Sequence, residues 1–82
     1  MIFEWDEEKN DLNIVKHGID FHFASEVFKS DDLQFEKDHK HSQNEERFFA
    51  IGTLNGKKIT VRFTMRGESI RIIGAGYWRK FK

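Results

Sequence analysis

The sequence predicts an α+β fold, with two N-terminal helices packed on one face of an antiparallel β-sheet that ends in a three-stranded meander. Three observations lead there. Asn55-Gly56 lies between two β-rich runs, and Asn-Gly favours the type I′ hairpin turn, in which both central residues take φ > 0. Arg66-Gly67 supplies a second reversal one strand later, so residues 47–76 divide into three runs. Upstream, Asp6 and Asp20 stand as N-caps and Gly18 as a left-handed stop, which brackets two helices.

In chain order, Met1–Trp5 reads as an edge or docking strand with Phe3 and Trp5 on one side. Asp6 opens the first helix, Glu7 and Glu8 favour its dipole, and Lys16 and His17 fall in its last turn. Leu12, Val15 and Ile19 are expected to face inward. Asp20 opens a second helix in which Phe21, Ala24, Val27 and Phe28 form one apolar stripe, ended by Ser30-Asp31-Asp32. Leu33–Lys37 alternates as a half-buried strand, and the wholly polar Asp38–Glu46 reads as a mobile loop. The order β-α-α-β-β-β-β fills one domain, residues 1–82, with no internal repeat. Within the meander Ile59, Val61 and Phe63 alternate with Lys58, Thr60, Arg62 and Thr64. Likewise Ile70 and Ile72 alternate with Ser69, Arg71 and Ile73. One face thus covers the helices while the other shows arginines and hydroxyls to solvent.

Composition narrows the function classes. A chain this short has a small core, and without cysteine it has neither disulfide nor thiolate–metal staple, so nine Phe and two Trp must carry the burial. No apolar run approaches the roughly 20 residues of a membrane span. The acidic cluster Glu4, Asp6, Glu7 and Glu8 is the opposite of a secretory leader's basic start. The expectation is a soluble cytoplasmic protein with no membrane partner. Net charge is zero, yet residues 1–46 hold 13 acids and five bases, whereas residues 47–82 hold nine bases and one acid. Two readings stay open: a local positive field that attracts a polyanion, or an acidic half that packs on the basic half and neutralises it.

Candidate chemistry is sparse. His39 and His41 beside Asp38 have no third ligand at a recognisable spacing, so no metal site is expected, and no glycine-rich loop points to a cofactor. His17 at a helix end is either a dipole partner or a proton donor. Glu46-Arg47 is either a surface ion pair or a base beside a phosphate clamp.

Several pieces in collinear order resemble the BrnT toxin family: Phe3-Glu4-Trp5-Asp6, Lys9, Asn13, Lys16-His17-Gly18-Ile19, Phe21, Ala24 and Val27-Phe28. The likeness continues through His41-Ser42, Glu45-Glu46-Arg47, Ile51-Gly52, Thr64, Arg66-Gly67 and Ile70-Arg71-Ile72-Ile73. The sequence departs from the family pattern at Gly74, Ala75 and Gly76, where many members carry Ser-Ala-Arg, and at His22 and Phe23, where acids are common. The resemblance implies a RelE-like ribonuclease fold and the toxin half of a bacterial type II toxin–antitoxin pair. It also implies RNA cleavage that arrests translation, and neutralisation by a BrnA-like antitoxin that itself binds DNA.

On that footing the expected enzyme is a metal-independent, cofactor-free endoribonuclease acting through the RNA 2′-OH. Arg47, Arg66 and Arg71 are expected to clamp phosphate, because guanidinium forks match phosphate oxygens. Glu46 or His41 is the candidate base, and His17 or Tyr77 the acid or positioner. Lys16, Arg62, Thr64, Tyr77, Arg79 and Lys80 complete the expected RNA-binding set. The competing expectation is a non-catalytic binding module whose basic face holds an acidic partner, with Tyr77, Trp78 and Phe81 as a docking patch. Direct DNA binding is not expected, since neither helix shows a basic face in the sequence; DNA is reached only through the antitoxin.

Overall fold

A computed structural model describes residues 1–78; Arg79, Lys80 and Phe81, named above as candidates, lie outside the described residues. The chain runs β1 (Ile2–Glu4), α1 (Glu7–His17), α2 (Phe21–Ser25), β2 (Gln34–Lys37), β3 (Phe48–Leu54), β4 (Lys57–Arg66) and β5 (Ser69–Tyr77). The five strands form one sheet in the order β1-β5-β4-β3-β2. The meander forms as expected, with Asn55 at φ 51° and Gly56 at φ 79° in the β3–β4 turn. The sheet is mixed, not antiparallel: β1 pairs with β5 in parallel, Ile2 to Ser69 and Glu4 to Arg71. A strand returning to the start of the chain after five intervening elements can run either way, and local turn chemistry does not decide it.

The α1 boundaries follow their caps. The Asp6 carboxylate accepts from the Glu8 and Lys9 N–H groups, and Gly18 closes the helix at φ 71°. Its buried side chains are Asn10 and Asn13, whereas Val15 is 83% exposed and Leu12 also faces solvent, contrary to expectation. The reason is hydrogen bonding. Asn10 Oδ1 accepts from the Phe21 N–H (2.9 Å), and Asn13 Nδ2 donates to the Ile19 carbonyl (2.9 Å), so the pair ties down the α1–α2 corner. Buried backbone groups need such partners.

The apolar stripe of the second helix is buried as predicted: Phe21, Ala24, Val27 and Phe28 pack with Ile59, Val61, Phe63, Ile70 and Ile72. The helix itself is shorter, because it tightens into a 3₁₀ turn at Glu26–Lys29. That turn lies against β3 at Gly52, where an added Cβ would run into Ser30 Oγ. All four β2 residues are exposed rather than half-buried, although the Phe35 ring still touches Phe28 and Phe63. Asp38–Glu46 holds a short 3₁₀ turn at His39–His41, and the Asp38 N–H donates to the carbonyl of Arg47 just before β3.

Between Arg62 and Phe63 the β4–β5 register shifts, which leaves Ile73 as the extra residue of a bulge. β1 covers only Ser69–Arg71 of β5. Beyond its reach the Ala75 N–H donates to Asn13 Oδ1 (3.1 Å), so α1 takes over the border of the sheet where β1 ends. The bulge and this contact set the position of α1, and with it the shape of the site.

Candidate functional site

The candidate site lies on the face of the sheet turned away from α2. Alternation along β3 and β4 puts Phe49, Thr60 and Arg62 on that face, and Gly74 and Gly76 of β5 share it through register with Arg62 and Thr60. Along α1, Lys9, Lys16 and His17 are spaced i, i+7 and i+8 and share one side of the helix. Between helix and sheet opens a cleft of about 550 Å³ lined by these residues together with Arg47, Ile73 and Tyr77. Gly74 and Gly76 leave its floor low: an added Cβ would come 3.9 Å from Asn13 Oδ1 and 3.9 Å from His17 Nδ1, respectively. Lys9, Lys16, Arg47 and Arg62 bring four fixed positive charges to the cleft, and no carboxylate lines it among the described residues. α1 therefore does carry basic side chains on one side, which its acidic first turn obscures in the sequence.

The segment before β3 organises the cations at one end. Asp38 is 4% exposed. Its N–H donates to the Arg47 carbonyl (2.8 Å), and Ser42 Oγ donates to the Asp38 carbonyl (2.6 Å) while accepting from the Arg47 N–H (3.0 Å). This knot fixes the Asp38 carboxylate between two bases. His41 Nδ1 lies 3.0 Å from Asp38 Oδ2, and Arg62 Nε lies 3.5 Å from the same oxygen. A carboxylate can only accept, so in neutral His41 the proton sits on Nδ1 and Nε2 is left as a free acceptor. Glu45 similarly serves two arginines, Arg47 at 3.4 Å and Arg66 at 3.8 Å. A second cleft of about 450 Å³, lined by His41, Lys40, Glu45 and Arg47, adjoins the first through Arg47.

Arg47 and the strand residues Arg62, Arg66 and Arg71 therefore all sit near carboxylates, but not equivalently. Arg71 is engaged at 2.9 Å by Glu4 of the neighbouring strand and lines neither cleft. Arg66 lines neither cleft. Arg47 and Arg62 keep a buried Nε–H with no acceptor among the described residues, because the 3.5 Å approach of Arg62 to Asp38 is an ion pair without hydrogen-bond geometry. The Arg62 guanidinium also lies 5.9 Å over the Phe49 ring, which holds it over the cleft floor. Buried donors of this kind favour an incoming acceptor such as a phosphate oxygen.

The remaining predicted residues fall as follows. Glu46 is exposed, pairs with Lys37 at 3.0 Å and lines neither cleft. Thr64 is buried, and its hydroxyl donates to the Glu46 carbonyl (2.7 Å). Lys16, His17, Arg62 and Tyr77 do line the main cleft, and His41 the adjoining one. Among the described residues no group of three potential metal ligands stands together, and no helix is long and apolar enough to cross a membrane. Sequence reasoning missed Lys9, Phe49 and above all Asp38, whose role depends on an arginine 24 positions away.

The fold is a small α+β one, with an open basic cleft that has no carboxylate among its described lining residues and lies beside an Asp-oriented histidine. The chain belongs to the BrnT family: the family model, described as the ribonuclease toxin BrnT of type II toxin–antitoxin systems, matches residues 5–81. A toxin of that type is paired with an antitoxin. Comparison with curated proteins gives no match.

Proposed function

We propose that this chain is a metal-independent endoribonuclease that cleaves RNA in the cleft between α1 and the sheet, and thereby inhibits translation. The observation that carries the reading is the convergence of Lys9, Lys16, Arg47 and Arg62 on one cleft with no carboxylate among its described lining residues. Lys9 and Lys16 have no carboxylate within ion-pair distance among the described residues, and Arg47 and Arg62, though offset by Glu45 and Asp38, keep guanidinium donors that suit a phosphate backbone.

RNA brings its own nucleophile. The 2′-oxygen attacks the adjacent phosphorus, a base takes the 2′-OH proton, and the departing 5′-oxygen receives a proton, leaving a 2′,3′-cyclic phosphate. His41 is the proposed base: its Nε2 is the free nitrogen while Asp38 holds Nδ1. Arg47 and Arg62 are proposed to hold the phosphate oxygens as negative charge grows in the transition state. His17, on the α1 wall, is the proposed proton donor to the leaving oxygen, with Tyr77 the alternative. In this reading Arg66 and Arg71 are not phosphate contacts and His41 is preferred to Glu46 as base, because Arg66, Arg71 and Glu46 line neither cleft. The antitoxin is proposed to be BrnA-like, with DNA reached only through it, and the site of action the cytoplasm.

The test is cleavage of labelled RNA in EDTA by wild type, Arg47→Ala, Arg62→Ala and His41→Ala. Each variant is expected to lose on the order of 10²-fold or more in rate. Wild-type protein that binds RNA and never cleaves it, or variants that all cleave at the wild-type rate, would overturn the proposal.

A further inference from the structure

We propose that the outer side of α1 is a docking surface for the antitoxin, and that it receives an acidic, amphipathic segment lying across the mouth of the basic cleft. The docking rests on the pairing of a type II toxin with an antitoxin, and the exclusion of RNA rests on the RNA reading above. The helix is inverted relative to an ordinary surface helix. Its buried side chains are Asn10 and Asn13, whereas its three apolar residues, Leu12, Ile14 and Val15, are 60%, 40% and 83% exposed. A helix at the surface of a domain normally turns such residues inward. Here the asparagines hold the inward positions through their backbone partners, and none of the three apolar residues joins the core cluster. Leu12 and Val15, three positions apart, are neighbours on the helix surface.

Continuity with the cleft and charge commit this surface to one occupant. Leu12 lines the main cleft, and Val15, one turn on, lines neither. Lys9 and Lys16 stand three positions before and four positions after Leu12, so both flank it on the cleft side. Neither lysine has a carboxylate within ion-pair distance among the described residues. On the other side, Glu8 and Asp11 precede Val15 by about two turns and one turn. They repel acidic groups, so the carboxylates of an incoming segment are directed to the lysines. A segment with apolar side chains over Leu12 and Val15 and carboxylates at Lys9 and Lys16 satisfies both chemistries at once. RNA satisfies only the second, because a phosphate backbone leaves the two apolar side chains in water. The same segment overhangs the cleft and competes with RNA for Lys9 and Lys16.

The experiment uses the full chain, its paired antitoxin, and a 2′-O-methyl oligonucleotide that lacks the nucleophile and cannot be cleaved. Val15→Ser is expected to weaken antitoxin binding on the order of tenfold and to leave oligonucleotide binding at the wild-type level. Val15→Ile, which keeps an apolar contact, is expected to bind the antitoxin as wild type does. The chain has no cysteine, so Val15→Cys carries a photo-crosslinker at a single position. It is expected to trap an antitoxin segment rich in acidic and apolar residues. The antitoxin complex is expected to exclude the oligonucleotide. Equal antitoxin affinity for Val15→Ser and wild type overturns the proposal. So does the absence of any complex with wild type, a crosslink to a basic segment or to a second copy of this chain, or a complex that binds the oligonucleotide as well as the free chain does. A free wild-type chain that binds no oligonucleotide would retire the RNA reading, while the loss of antitoxin affinity in Val15→Ser would still uphold the docking surface.

Discussion

The carboxylate of Asp38 faces the Nδ1 of His41 at 3.0 Å while its own backbone is tied to Arg47, so one buried residue holds a histidine close to an arginine. Replacing Asp38 with Asn keeps an oxygen for the His41 N–H cap but removes the charge and lets the imidazole choose its other tautomer. Asp38→Asn is expected to lower kcat for RNA cleavage on the order of 10²-fold with little change in KM. Steady-state kinetics on a defined RNA check this, and an unchanged kcat would remove Asp38 from the mechanism.

Asn13 satisfies two backbone groups at once, the Ile19 carbonyl and the Ala75 N–H. Asn13→Ala leaves both without a partner, at about 1–3 kcal/mol for each buried group. Urea unfolding is expected to show a lower midpoint. Asp11→Ala, on the exposed part of the same helix, serves as the comparison, expected within about 0.5 kcal/mol of wild type.

Gly74 and Gly76 are the low floor of the cleft, and a longer side chain at Gly74 would rise into the space proposed for the phosphate backbone. Gly74→Leu is expected to weaken RNA binding on the order of tenfold or more, because a filled cleft cannot admit the strand. Thermal unfolding within a few degrees of wild type would confirm that the effect is blockage.

Asp32 gives a pH signature. Its carboxylate accepts from the Thr53 hydroxyl (2.6 Å) and the Thr53 N–H (2.9 Å), and these bonds, the hydroxyl first, hold its pKa below the ordinary value of 3.8. Folding therefore favours the ionised form. The contribution is complete above the unfolded pKa of about 3.9 and fades as pH falls through the lower folded value. Asp32→Asn is expected to lower Tm at neutral pH and to flatten the decline of Tm below about pH 4. Parallel declines for wild type and variant would exclude Asp32 as a contributor.

Much of the architecture was legible because it is local. Asn55-Gly56, Asp6, Gly18 and the Phe21–Phe28 stripe act over a few residues, and each behaves as its chemistry dictates. Leu12 and Val15 misled because apolar spacing says which side of a helix prefers burial, while Asn10 and Asn13 had specific backbone partners to satisfy. The parallel docking of β1 and the register shift at Ile73 are long-range outcomes that no short window contains. The site was half legible: Arg47, Arg62, Lys16 and His17 could be picked out by type. Asp38 became meaningful only once the chain had folded His41 and Arg62 against it.

The handover from β1 to α1 along β5 decides how this protein can meet its neighbours. A nine-residue strand left bare at a border would be a template for another chain, yet β1 pairs its first residues and Asn13 takes the Ala75 N–H further along. The outermost strands are short, three residues of β1 and four of β2, the latter bearing Glu36 and Lys37. Such short, charged margins discourage runaway strand-to-strand assembly, so crowding should leave the molecule dispersed.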